Sequence, residues 1–315
     1  MILIKGFSLM DAFVFPGQGS QCPGMGKELA ENFKAARQVF EEANDALGFD
    51  IESLCFSGTE DDLKLTANTQ PAILTTSIAA LRVLQEEAGL SPSYVAGHSL
   101  GEYSALVSSG VLAFADAVRI VRQRGTFMQE AVPVGVGAMA AIIGIDRQKL
   151  SDLCREVAQG EVVIPANYNS PTQIVIAGHK SAVERAIVLA KERGAKRAML
   201  LPVSAPFHSS LMAPAAQRLQ GELESITISP FICPLVSNVE AAPYQDVTRV
   251  KPLLVDQVCA PVRWSESIQS MQEAGVDRYV EVGPGRVLSG LNKRLDRTAT
   301  HKNIGDVASL KDLQG

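Results

Sequence analysis

With 315 residues, 46% of them hydrophobic and 20% charged, the chain is too long for a mini-protein and too apolar for global disorder. A chain of this size buries about 75% of the surface its unfolded form exposes, and its length allows one large domain or a large one carrying a smaller insert. Lys plus Arg number 29 against 34 Asp plus Glu; the net charge of −5 argues against a general attraction to nucleic acid or an anionic membrane, so any basic docking patch must be local.

The N-terminus, MILIKGFSLMDAF, lacks a long apolar segment with a small-residue cleavage site and reads as a ragged lead-in, with Met10 a candidate alternative start. AFVFP at 12–16 reads as a buried strand. Met25, Leu29, Phe33, Ala36, Phe40, Ala43 and Leu47 recur every three or four residues up to Gly48, which predicts one helix with a glycine stop. Thr69-Gln70-Pro71 predicts a second helix start with Pro in the first turn, and its apolar face runs to Gly89. From Gly137 to Val203 the rhythm becomes compact: strand AMAAIIGI, helix Arg147 to Val157, strands EVVIPAN and QIVIAG, helix Ser181 to Arg193, strand RAMLLPV. That order, β-α-β-β-α-β, is ferredoxin-like. FICPLVSNV and DRYVEVG read as further strands of the larger unit, and Arg286 to Arg294 as a closing helix.

The expectation is therefore an α/β protein: a large α/β-hydrolase-like domain with a mainly parallel sheet, 12–133 and 204–298, carrying a small ferredoxin-like inserted domain, 134–203. The five cysteines (Cys22, Cys55, Cys154, Cys233, Cys259) are odd in number, far apart and without a CxxC pair. They suggest neither a disulfide framework nor a zinc site and fit a reducing cytoplasm. The longest apolar stretches are too short or too interrupted to span a bilayer core of about 30 Å, so no membrane association is expected.

Chemistry concentrates at Tyr94-Val95-Ala96-Gly97-His98-Ser99-Leu100-Gly101-Glu102-Tyr103, where Gly-x-Ser-x-Gly follows a strand and precedes a helical pattern. That context is a nucleophile elbow, which would expose the Ser99 hydroxyl and make the Leu100 amide an oxyanion donor. Four histidines can supply the base. His98 would point away from its neighbour, His179 sits at a turn and His301 in a polar tail, whereas His208 lies in the turn-rich Ser204-Ala205-Pro206-Phe207-His208-Ser209-Ser210 and is the candidate. No spacing identifies an acid, so a Ser-His dyad held by a backbone carbonyl and a triad both stand. Gly135 to Ala140 matches GxGxxA but precedes a strand, which disfavours a dinucleotide site. Gly283-Pro284-Gly285 is a tight turn, while Phe15-Pro16-Gly17-Gln18-Gly19-Ser20-Gln21 could place a second amide, Gln18, beside the elbow. The elbow alone would also suit an ordinary serine esterase.

FPGQGSQ, GHSLGEYSAL, RGTFMQEA, PANYNSP, APFHSSLM, PVRW and VGPG occur in one order, and this order resembles malonyl-CoA:acyl carrier protein transacylases over about Ala12 to Leu295. The resemblance implies Ser99 as the acyl-accepting nucleophile, His208 as base, and the Gln18 and Leu100 amides as oxyanion hole. It further implies Arg124 pairing with the malonyl carboxylate and the Gln257 backbone carbonyl orienting the histidine. Phe207 would disfavour an α-methyl branch on the acyl group, and Asn167 and Asn169 would line the cleft. No metal and no tightly held cofactor are implied; the partners are malonyl-CoA and an acyl carrier protein, in fatty acid or polyketide synthesis, and the enzyme would be monomeric. Because carrier proteins are acidic, Lys191, Arg193, Lys196 and Arg197 are a candidate docking cluster, although a helix C-terminus also favours such residues.

Overall fold

The computed structural model describes residues 10–203 and 205–314. The first nine residues of the lead-in, Ser204 and Gly315 lie outside them. Among the described residues ten strands form two sheets: β1 (Asp11–Phe15), β2 (Tyr94–Gly97), β3 (Gly137–Ile143), β4 (Val163–Ser170), β5 (Gln173–His179), β6 (Arg197–Leu200), β7 (Leu235–Val236), β8 (Pro243–Tyr244), β9 (Arg278–Val282) and β10 (Thr300–Ile304). The large sheet runs β10-β9-β1-β2-β7-β8 and is parallel except for the β7/β8 edge pair. The small sheet runs β4-β5-β3-β6 and is antiparallel throughout. A mainly parallel sheet with a second, ferredoxin-ordered sheet is what the sequence predicts.

A strand covered on both faces needs apolar residues along its length, and β1 has them from Ala12 to Phe15. Phe13 and Phe15 enter the main core with Leu74, Ile78 and Leu106, while Ala12 and Val14 face Trp264, Ile268 and Tyr279 on the opposite side. The small sheet divides likewise: Ile142 and Ile174 pack with Leu150, Leu153 and Val183 of its own helices, whereas Met139, Val175 and Ala177 join the main core. The two layers are also joined through backbone. Tyr168 N–H donates to the Val262 carbonyl at 2.8 Å and Val262 N–H to Ala166 at 2.9 Å, which makes Asn167 the partner of Val262 across the seam.

Four expectations are corrected. The helix expected over Met25 to Leu47 is two, Lys27–Asn32 and Lys34–Leu47, with Phe33 extended between them. The Asn32 side chain takes the Glu28 carbonyl at 2.8 Å, a local bond that competes with helix continuation. The second helix starts at Thr66 and holds Pro71 inside it. Proline cannot donate to the Ala67 carbonyl, but Arg122 Nη1 does so at 2.6 Å, so the acceptor is satisfied. FICPLVSNV yields only the two residues of β7. The polar tail around His301 is β10, an outer strand whose His301 ring stacks on Tyr279 at 5.4 Å; its polar composition hid it. The glycine stops behave as predicted, with Gly48 at φ 70° and Gly89 at φ 62°.

Candidate active site

Strand β2 ends at Gly97 and a helix begins at Gly101, leaving a turn so tight that neither position admits a side chain. A Cβ on Gly97 would lie 1.9 Å from the Gly101 backbone, and one on Gly101 would lie 2.1 Å from the Phe15 carbonyl oxygen. Ser99 sits at the apex in left-handed backbone, φ 52°. Asn238 secures both sides of the bend: its Oδ1 accepts from Ser99 N–H at 2.7 Å and its Nδ2 donates to the Gly97 carbonyl at 2.6 Å.

His208 reaches this apex from a turn after β6, also in left-handed backbone at φ 59° and 3% exposed. Ser99 Oγ lies 2.7 Å from His208 Nε2, hydrogen-bond distance for proton transfer. On the other side Nδ1 meets two backbone carbonyls, Gln257 at 2.8 Å and Ala260 at 3.1 Å. With carbonyls on Nδ1, that nitrogen carries the proton and Nε2 is the free acceptor. The geometry is that of a Ser-His pair whose imidazole is oriented by backbone carbonyls. Burial, and then the charge of Arg124, push the imidazole down from its ordinary 6.5 to about 3, so it stands neutral.

Arg124, on helix Phe114–Glu130, is 1% exposed and extends beneath the serine. Its Nη2 donates to Ser99 Oγ at 3.1 Å and to Gln257 Oε1 at 2.9 Å, and its Nη1 to Gln70 Oε1 at 2.8 Å. The guanidinium also lies 5.6 Å from the centre of the Tyr103 ring. Its Nε has no partner, and among the described residues it forms no ion pair. A buried cation held only by neutral acceptors is prepared for an incoming anion.

These groups meet in a cleft with room for about 100 Å³ of water, whose walls include Gln18, Leu100, Asn167, Phe207 and, from the small sheet, Met139. Among the described residues neither the Gln18 nor the Leu100 backbone N–H makes a hydrogen bond. Asn167 is 6% exposed in this wall, whereas Asn169 turns to His98, whose Nε2 donates to its Oδ1 at 2.9 Å. His98 also packs against Trp264, with ring centres 5.7 Å apart, and burial lowers its pKa. Gln257 contributes its side chain as well as its carbonyl. Glu102, Asn238 and Gln70 are site neighbours that the sequence does not mark: all three stand within segments quoted above, but nothing in their spacing makes them partners.

Residues 12–310 match the acyl transferase domain family. The chain belongs to that family. This acyl transferase is 51% identical over 299 residues to the malonyl CoA-acyl carrier protein transacylase of Salmonella typhimurium, covering 95% of this chain and 97% of that protein. The crystal structure of an acyl carrier protein S-malonyltransferase from Vibrio cholerae is similar at TM-score 0.93 and 48% identity, over 96% of this chain and 99% of that one. A malonyl-transacylase in complex with its type II PKS acyl-carrier protein is similar at TM-score 0.93 and 50% identity, over 96% and 98%. Among the described residues of the acyl transferase no helix is long and apolar enough to cross a membrane, and no group of three His, Cys, Asp or Glu could hold a metal ion.

Proposed function

We propose that this acyl transferase moves the malonyl group of malonyl-CoA to the phosphopantetheine thiol of an acyl carrier protein through a malonyl ester on Ser99. The observation that carries the reading is the buried Arg124 guanidinium 3.1 Å from Ser99 Oγ, with no carboxylate of its own. A planar guanidinium binds a carboxylate through two parallel bonds, which favours an acyl group ending in an acid over a neutral one. The names of the similar proteins, and the solved complex with a carrier protein, support the same donor and acceptor.

His208 Nε2 takes the Ser99 proton as Oγ attacks the thioester carbonyl, and the oxyanion turns toward the Gln18 and Leu100 amides. The imidazolium returns that proton to the coenzyme A sulfur as the carbon–sulfur bond breaks, leaving malonyl-serine. In the second half the carrier thiol gives its proton to His208 and attacks the ester; the Ser99 oxygen leaves and recovers the proton. Both halves use the same dyad, so the kinetics are ping-pong. Every group in this scheme comes from one chain, consistent with a monomer, and no step calls on a cofactor. Phe207 narrows the cleft and makes methylmalonyl-CoA a poor donor. Residues 134–203 form the inserted unit that walls the cleft above the large domain, 12–133 and 204–298. The carrier belongs to fatty acid or polyketide synthesis.

Intact mass after mixing with malonyl-CoA tests the intermediate. The wild-type chain gains one malonyl group and loses it on addition of a carrier protein, while Ser99→Ala gains none. Hydrolysis of malonyl-CoA without transfer to any carrier would refute the reading in favour of an esterase.

A further inference from the structure

We propose that Glu102 is a positioning residue: its carboxyl oxygen Oε2 fixes the Gln257 side-chain amide in the one orientation that presents an oxygen to Arg124, and so aims the guanidinium at the acyl group beside Ser99. The proposal rests on the malonyl-transfer reading above. Glu102 is wholly buried behind the elbow. Its Oε2 accepts from Gln257 Nε2 at 2.6 Å and from Asn238 N–H at 3.3 Å, while its Oε1 has no partner. Gln257 Nε2 also donates to the Ser99 carbonyl at 3.0 Å, and Gln257 Oε1 accepts from Arg124 Nη2 at 2.9 Å.

A primary amide has one donating and one accepting end. With acceptors at Glu102 and Ser99 on one side, the NH2 must face them and the oxygen must face Arg124. Reversed, the amide would set NH2 against guanidinium and oxygen against two oxygens, so the orientation is determined jointly, with Glu102 giving the shorter of the two acceptor contacts. The amide also keeps Glu102 off the arginine. A direct ion pair would occupy the fork that a substrate carboxylate needs; with Gln257 between them, the carboxyl steadies Arg124 and leaves it unpaired. Burial raises Glu102 from its ordinary 4.5 to about 7, but a proton added there settles on the unpartnered Oε1, and Oε2 remains an acceptor in either state.

The test measures acylation of Ser99 by malonyl-CoA and by acetyl-CoA on the intact chain. In Glu102→Met the acceptor is gone; loss of a buried hydrogen bond of this kind lowers malonyl kcat/KM by about tenfold. The loss comes through a raised KM, and acetyl acylation changes far less. Glu102→Gln restores an acceptor oxygen and recovers most of the malonyl preference. Gln257→Met reproduces the Glu102→Met phenotype, and the double variant is no worse than either single one. Equal loss with both donors, no recovery in Glu102→Gln, or additive losses in the double variant would overturn the proposal. Should Glu102→Met not fold, Gln257→Met and Glu102→Gln decide: an unchanged malonyl-to-acetyl ratio in Gln257→Met overturns it, and a lowered ratio there with a preserved one in Glu102→Gln supports it. Wild-type protein that takes up no malonyl group would instead sink the functional reading itself.

Discussion

In the proposed scheme His208 must be neutral to take a proton from Ser99, and its surroundings hold it so: it is enclosed, it faces the Arg124 charge, and its Nδ1 proton is committed to the Gln257 and Ala260 carbonyls. Its pKa is depressed from 6.5 to about 3, so the folded chain stays unprotonated at this site as pH falls through 6.5, where an unfolded chain would take up a proton. Two consequences share that sign. The rate of malonyl-serine formation, followed as kcat/KM against pH, shows no acidic limb at 6.5 from this base. The group's contribution to stability is present above 6.5 and is lost as pH falls toward 3. Arg124→Ala makes a second residue-scale prediction: malonyl kcat/KM falls by about a hundredfold, since a charge-assisted bidentate bond is lost, while acetyl acylation gains relative to it. An unchanged malonyl-to-acetyl ratio would remove Arg124 from the site. Ser99 and His208 were legible as candidates from the elbow and a turn-rich segment, whereas Arg124 emerged only from the family resemblance. Glu102 was not legible, since its partners Gln257 and Asn238 arrive from 155 and 136 positions away and no local pattern records the meeting.

At the scale of elements, the elbow was readable because its constraint is local: two glycines flank one serine between a strand and a helix, and each glycine is required by a contact under 3 Å. Gly101→Ala would drive a Cβ into the Phe15 carbonyl of β1. It should destabilise the fold by about 3 kcal/mol, measured by denaturant unfolding, and displace the serine with it. Elements set by tertiary contacts were misread. The helix containing Pro71 runs through its proline because Arg122 arrives from another helix to satisfy Ala67. Strand β10 forms from polar residues because β9 supplies a parallel edge for THKNI to pair with. Periodicity within a segment cannot report either event.

For the whole molecule, the division into a mostly parallel sheet and a smaller antiparallel one was visible in the order of strand and helix patterns, because those patterns alternate at different rhythms. The seam between the layers was not: Met139 and Asn167 meet residues of the large layer, Asn167 through the Val262 bridge, and only the family resemblance pointed to Asn167. The basic cluster lies beside the outer edge of the small sheet. Arg193 is paired with Glu156 at 2.6 Å, whereas Lys191, Lys196 and Arg197 are exposed next to the apolar Met199 and Leu200 of β6. If this edge receives an acidic carrier protein, reversing Lys196 and Arg197 to Glu should raise KM for the carrier about tenfold, more at low salt than at high, and leave acylation by malonyl-CoA untouched. Carrier turnover that survives the reversal would assign the cluster to a solvated helix end.

Ser99 and His208, which face each other across 2.7 Å, share one further property: both hold backbone torsions that an L-residue adopts reluctantly. A glycine at either place would ease the turn and abolish the dyad. The ground state is thus perched higher than that of an inert sequence with the same shape, and the energy withheld from folding keeps hydroxyl and imidazole aligned before any ligand arrives.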